Sequence, residues 1–136
     1  PNMIALAKQN VPGATFEVLD CRKIKSIRKK FNGIVCGFCI PYLSQNDCEA
    51  LIKNCSELLL PNGVLYLSFV EGNYSSSDYQ TGSSGDKVFF YFHELKFINQ
   101  SLKNSGFTNL HAVYVNYPKG NGKFDIHTIV FAIKEG

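Results

Sequence analysis

An uninterrupted apolar run, Ile34–Ile40, is followed within a few residues by a capped helical stretch and then by a second apolar run, Val64–Phe69. Gln45-Asn46-Asp47 supplies the cap, the helix is expected to reach Leu59 with Leu51, Glu57 and Leu58 at helical intervals, and Pro61-Asn62-Gly63 turns the chain into the second run. Strand, helix and strand with little linker between them is the pattern of an α/β domain with a largely parallel sheet. A run apolar at every position predicts a strand buried on both faces. The alternation extends to either side. Pro1–Asn10 reads as a helix, with Met3, Ile4 and Ala7 at helical spacing, broken at Val11-Pro12-Gly13. Ala14–Leu19 reads as a strand ending at Asp20, and Arg22–Lys30 as a short amphipathic helix with Ile24, Ile27 and Phe31 inward. A Ser/Gly-rich segment, Gly72–Gly85, is expected to be a flexible loop reaching residue 87. After it come the aromatic run Phe89–Phe92 and a helix ending at Asn104-Ser105-Gly106. Leu110–Tyr117 and Ile126–Ile133 close the chain as strands joined by Pro118–Gly122, a connection short enough for an antiparallel hairpin.

The chain has 136 residues, 45% of them hydrophobic, with 14 Lys and Arg against 11 Asp and Glu and a formal net charge of +3. That balance excludes disorder, collagen and coiled coil, and a chain of this size buries roughly 68–70% of its unfolded surface, so residues 1–136 read as one domain. No stretch reaches the roughly 18 apolar residues of a membrane helix, and the first residues lack a cationic flank and cleavage site. A cytoplasmic protein without a membrane partner is expected. Five cysteines, an odd number, suit a reducing compartment better than a disulfide framework. The sequons at Asn54, Asn73 and Asn99 are then accidental.

PNMIALAKQN, ATFEVLDC, FNGIVCGFCIPYLS, ELLLPNGVLYLSF and LKNSGFTNL, in this order and spacing over nearly the whole chain, resemble the class I S-adenosylmethionine-dependent methyltransferases, in particular their small-molecule branch. The resemblance implies a Rossmann-like, largely parallel sheet with helices on both faces and a C-terminal antiparallel hairpin. It implies S-adenosylmethionine as cofactor and a small molecule as the oxygen or nitrogen acceptor of the methyl group. Asp20 would accept from the adenine amino group, the Cys21 backbone N–H would donate to the ring, and Met3 would lie against the adenine face. Gly37 and Phe38 would present backbone to the methionine part, the glycine allowing close approach. Tyr42, in Pro41-Tyr42-Leu43, would face the methyl group, positioning the acceptor or shielding the sulfonium by cation–π contact. Glu71, Tyr74, Tyr79, Tyr91 and His93 would build the lid and acceptor pocket, with His93 the first candidate base and Glu71 the second, if the acceptor must lose a proton. Plain structural roles compete: Asp20 as a turn cap, Met3 and Tyr42 as core, Gly37 as a packing glycine, His93 as a cap of the following helix, Glu71 as a solvated turn residue.

The family's glycine-rich turn and the acid ending its second strand would both precede Pro1, and no G-x-G-x-x-G occurs in these residues. The fold is therefore expected to lack its N-terminal strands, either as the remainder of a longer chain or as a shortened relative. Asn32 also stands where the family usually shows Asp. A shortened relative would leave an apolar edge at Ala14–Leu19 or its neighbour, and the rival to an enzyme is a non-catalytic homo-oligomer that pairs through that edge and binds no cofactor. Cys36-Gly37-Phe38-Cys39 offers thiol–disulfide exchange as a third function, but Pro41 and the Ser44–Asp47 cap keep both sulfurs away from the helix start. With Cys48 and Cys55 inside a helix, no second pair completes a zinc site, and no metal is expected. Arg22–Lys30 holds six of the 14 basic residues, yet the small net charge and the absence of accompanying aromatics point to a solvated face and not to nucleic acid.

Overall fold

A computed structural model describes residues 2–82 and 84–136 of the chain. Its elements are α1 (Asn2–Asn10), β1 (Phe31–Cys36), α2 (Gln45–Leu58), β2 (Leu59–Val70), β3 (Asp78–Thr81), β4 (Lys87–Phe90), α3 (Leu95–Asn104), β5 (Phe107–Pro118) and β6 (Phe124–Lys134). Four strands form one sheet in the order β1-β2-β6-β5, with β1 parallel to β2 and the pairs β2–β6 and β6–β5 antiparallel. The fold is thus mixed α/β, a β-α-β unit continued by antiparallel C-terminal strands. β3 and β4 make a separate antiparallel hairpin.

Local signals explain the helices. Ser44, one residue before the expected cap, accepts from Asp47 N through its hydroxyl and starts α2. Cys48, Leu51, Ile52 and Cys55 then fall on one buried face of the helix. Gly106, at φ 86°, ends α3 in left-handed backbone that a side chain rarely adopts. The faces of α2 and α3 meet Leu65, Leu67 and Phe69 of β2, Val130 and Ala132 of β6, and Phe107 in one core cluster. Burying each such side chain stabilises the fold by about 1.5–3 kcal/mol. Both helices therefore cover one face of the sheet. α1 buries none of its residues, and the opposite face exposes Val64, Val113 and Phe131.

Several expectations need correction. Ala14–Leu19 is not a strand: it pairs with nothing among the described residues, and a strand exists only through its partner's hydrogen bonds. Arg22–Lys30 is not an α-helix but a 3-10 segment, Cys21–Ser26, followed by extended backbone, although Ile24 and Ile27 do turn inward. Six cations in nine residues repel one another at helical spacing, which disfavours a longer helix. The run Ile34–Ile40 is strand only to Cys36, and Val35 is 75% exposed, because helices cover only one side of β1. Within Gly72–Gly85 the chain builds a 3-10 turn, Tyr74–Ser76, and the strand β3; Ser83 lies outside the described residues, as does Pro1, expected to open α1. No helix among the described residues is long and apolar enough to cross a membrane.

Candidate functional site

Open α/β sheets bind ligands beyond the carboxyl ends of their parallel strands. Here those ends carry Gly37 and Phe38 after β1, and Glu71 after β2. A Cβ added to Gly37 would meet nothing within 4 Å, so open space adjoins its backbone. Phe38 is held at φ 52°, a conformation costly for a bulky side chain, and its N–H donates to the buried Ser68 Oγ at 2.9 Å. Its ring, 42% exposed, stands edge-on to His127 with centroids 5.0 Å apart, and His127 stacks on Tyr117 at 4.7 Å. Ser68, His127 and Tyr117 were not singled out from the sequence. Strained backbone next to a glycine was the only signal, and φ is not readable from residue types.

Cys21 comes near the residues that flank this corner. Cys21 lines a groove of about 350 Å³ along β1 together with Cys36, Cys39 and Ile34. Asp20 caps the 3-10 segment and is gripped by Arg22, whose backbone N, Nε and Nη2 all donate to its carboxylate, the last at 2.7 Å. These bonds hold the carboxyl down at about 2. Met3 does not join them; it is 78% exposed on α1.

The acceptor-side candidates divide by the alternation of the extended segment 88–93. Val88, Phe90 and Phe92 point one way and line a pocket of about 290 Å³ with Tyr42, Gln80, Thr81, Gly82, Lys119 and Asp125. Phe89, Tyr91 and His93 point the other way, into an aromatic ladder with Tyr74, Tyr79 and Phe97. Of the expected substrate-binding tyrosines only Tyr42 reaches the pocket, 56% exposed and edge-on to Phe90. Tyr74 receives a bond from Gln45 N, Tyr91 N donates to Pro41 O at 2.7 Å, and Tyr79 packs on Phe89 at the outside.

His93 is corrected as a candidate base. Its side chain is 0% exposed, and Nε2 lies 2.9 Å from Ile40 O and 3.1 Å from Leu43 O. Two carbonyls can only accept, so Nε2 carries the proton. Nδ1 is buried without a partner. Burial lowers the ring's pKa and outweighs the two carbonyl bonds that raise it. Nor does His93 cap α3, whose N-cap is Glu94. Glu71 remains half-buried at the end of β2, its Oε2 accepting from Thr128 Oγ1 at 3.3 Å.

Thiol–disulfide exchange is disfavoured by the thiols themselves. Cys39 pulls the Cys36 thiol down, but Cys55 and burial outweigh it and push Cys36 up to about 12. The bond to Cys36, then burial, raise Cys39 as well. Neither is an activated thiolate. A larger depression of about 470 Å³, between Glu49, Lys53, Glu57 and Asn104, lies on the helix surface and touches none of the strand-end residues.

Known structures share the fold of this chain. The chain has the fold of the S-adenosylmethionine-dependent methyltransferases. It is similar to one such methyltransferase from Methanosarcina mazei, at TM-score 0.78 and 15% identity over 98% of this chain and 78% of that one. It is also similar to the magnesium protoporphyrin IX methyltransferase of Synechocystis solved with S-adenosylmethionine (TM-score 0.69, 16% identity, 98% of this chain and 55% of that one). A third is the amino pentose methyltransferase of Micromonospora echinaspora (TM-score 0.66, 18% identity, 98% and 70%). The chain thus spans from about half to about four fifths of these methyltransferase structures. No protein-family model and no curated relative matches the sequence.

Proposed function

We propose that the chain is an S-adenosylmethionine-dependent methyltransferase domain acting on a small-molecule oxygen or nitrogen acceptor. The observation that carries this is the Gly37–Phe38 corner, strained, tied to Ser68 and bordered by open space, at the carboxyl end of β1 in this fold. The residues present fit the cofactor. Gly37 leaves room for a close approach, and the ionised Asp20 carboxylate would exchange one of the bonds it accepts from Arg22 for one from an amino group. The Cys21 N–H lies beside it, and Met3 would need to fold inward to reach the same ligand.

When bound, the cofactor supplies a methyl group on a sulfonium that is already a good leaving group, so the protein's work is alignment and exclusion of water. Tyr42, whose ring borders the pocket, orients the acceptor. Glu71 is the remaining candidate to take a proton from an acceptor that must lose one.

Calorimetric titration with S-adenosylhomocysteine tests this. Saturable binding is expected, weakened about tenfold by Asp20→Ala, the scale of one lost charged hydrogen bond. Gly37→Ala is expected to weaken binding as much while leaving the melting temperature unchanged, since its Cβ meets no neighbour. A folded sample that releases no heat sinks the proposal.

A second reading rests on β1, whose outer edge pairs with no strand among the described residues and whose uncovered face exposes Val35. Such an edge invites a second copy. Sedimentation velocity would then show a dimer that Val35→Lys turns to monomer; a monomer at all concentrations ends this reading.

A further inference from the structure

We infer that the pocket bounded by Tyr42, β3–β4 and the β5–β6 turn binds a planar aromatic molecule of one or two fused rings bearing a hydroxyl or amino group, and that this molecule is the methyl acceptor. The second half rests on the methyltransferase reading above.

The walls select a flat ring. Tyr42 and Phe90 meet at 83° with centroids 6.0 Å apart, and Phe90 and Phe92 at 63° and 5.3 Å. Rings set edge to face offer an incoming ring both a negative face and a positive edge, which a saturated molecule of equal size cannot match. Val88 lines the same pocket, and its volume of about 290 Å³ is at the low end for small-molecule sites, room for one or two rings and little more.

The remaining lining residues select a polar substituent. Gln80, Thr81, Lys119 and Asp125 all line the pocket. Lys119 Nζ and Asp125 Oδ1 are 3.4 Å apart, longer than the roughly 2.7–2.9 Å of a tight charged bond, so each keeps capacity for a ligand. Asp125 accepts from an O–H or N–H, and Lys119 donates to an oxygen. Their charges cancel, so the rim does not demand an ionic group. Asp125 pairs with Tyr117 across the hairpin, Tyr117 stacks on His127, and His127 meets the Phe38 ring, a chain of contacts that links this pocket to the strand-end corner.

The probes are 2-naphthol and decahydro-2-naphthol, alike in hydroxyl and carbon skeleton and different in aromaticity, titrated by NMR into the full chain. Expected is saturable 2-naphthol binding about tenfold tighter than that of the saturated alcohol, the gain of two edge-to-face contacts. Intermolecular NOEs should connect the naphthol protons to the Tyr42, Phe90 and Phe92 rings. Val88→Trp, which fills the pocket with a side chain suited to a strand, should abolish saturation. Equal affinity for the two probes, or NOEs to other residues, overturns the inference, and the NOE measurement on the unsubstituted chain decides it even if Val88→Trp fails to fold. S-adenosylhomocysteine titrated into the same sample separates the two claims. Its binding without naphthol binding removes the aromatic pocket alone; naphthol in the pocket without it keeps the site and removes the role of methyl acceptor.

Discussion

His93→Ala is expected to lower the unfolding free energy by about 3–5 kcal/mol, a large share of the roughly 5–15 kcal/mol of a domain. The ring stacks against Phe97 at 5.9 Å and is fully buried, so its removal leaves a cavity. It also strips Ile40 O and Leu43 O of their shared donor, and each buried unpaired carbonyl costs about 1–3 kcal/mol. His93→Gln, which can still donate, should recover part of the loss. Urea denaturation reads both. The same residue predicts a pH dependence of definite sign. Burial holds its folded pKa below the ordinary value of 6.5. Well above pH 6.5 the imidazole is neutral folded and unfolded, and contributes no pH dependence. As pH falls through that value the unfolded chain takes up a proton that the folded chain refuses, and stability declines by up to about 1.4 kcal/mol per pH unit until the folded pKa is reached. His93→Gln should remove one proton's worth of that slope. If His93→Ala left stability intact but abolished methyl transfer, the residue would be catalytic after all.

Gly63→Ala is expected to cost about 2–3 kcal/mol, the scale of a forced overlap in a packed interior. The added Cβ would lie 2.8 Å from Leu60 O, 3.0 Å from Leu59 Cδ2 and 3.1 Å from Asn32 O. Two of these are backbone atoms, and they sit where the register of β1 on β2 shifts between Phe31–Leu59 and Gly33–Val64. Relief requires moving one strand against the other, and with it the strand-end corner that the register places. Gly37→Ala, in open space, should show no such loss. Thermal melts of the two variants side by side make the check; equal melting temperatures would contradict it.

Pro61-Asn62-Gly63 was readable as a turn from three residues, and Asn62 does take left-handed backbone at φ 65°, but the turn lies inside β2, at its register shift, and not ahead of the strand. What the sequence did not show is that Asn32 packs against that turn from the neighbouring strand. The same division holds for the candidate site. The strand-end placing of Gly37 and Phe38 follows from a β-α-β pattern and a resemblance. On the acceptor side the alternation of Val88 to His93 is visible in the sequence, but which of the two sets faces the pocket depends on Pro41 O receiving Tyr91 N from 50 positions away.

Caps, turn residues and apolar spacing act over three or four residues, so the sequence by itself determined the presence of α2, the stop of α3 at Gly106, the β5–β6 hairpin and the mixed α/β order. Tertiary structure alone decided that Ala14–Leu19 stays unpaired, that Val35 faces outward, that the segment after Gly72 folds into a hairpin and that His93 is core. Each of these depends on a partner distant in sequence. A strand needs another strand's hydrogen bonds, and burial needs a second layer, and neither leaves a mark on the residues that receive it.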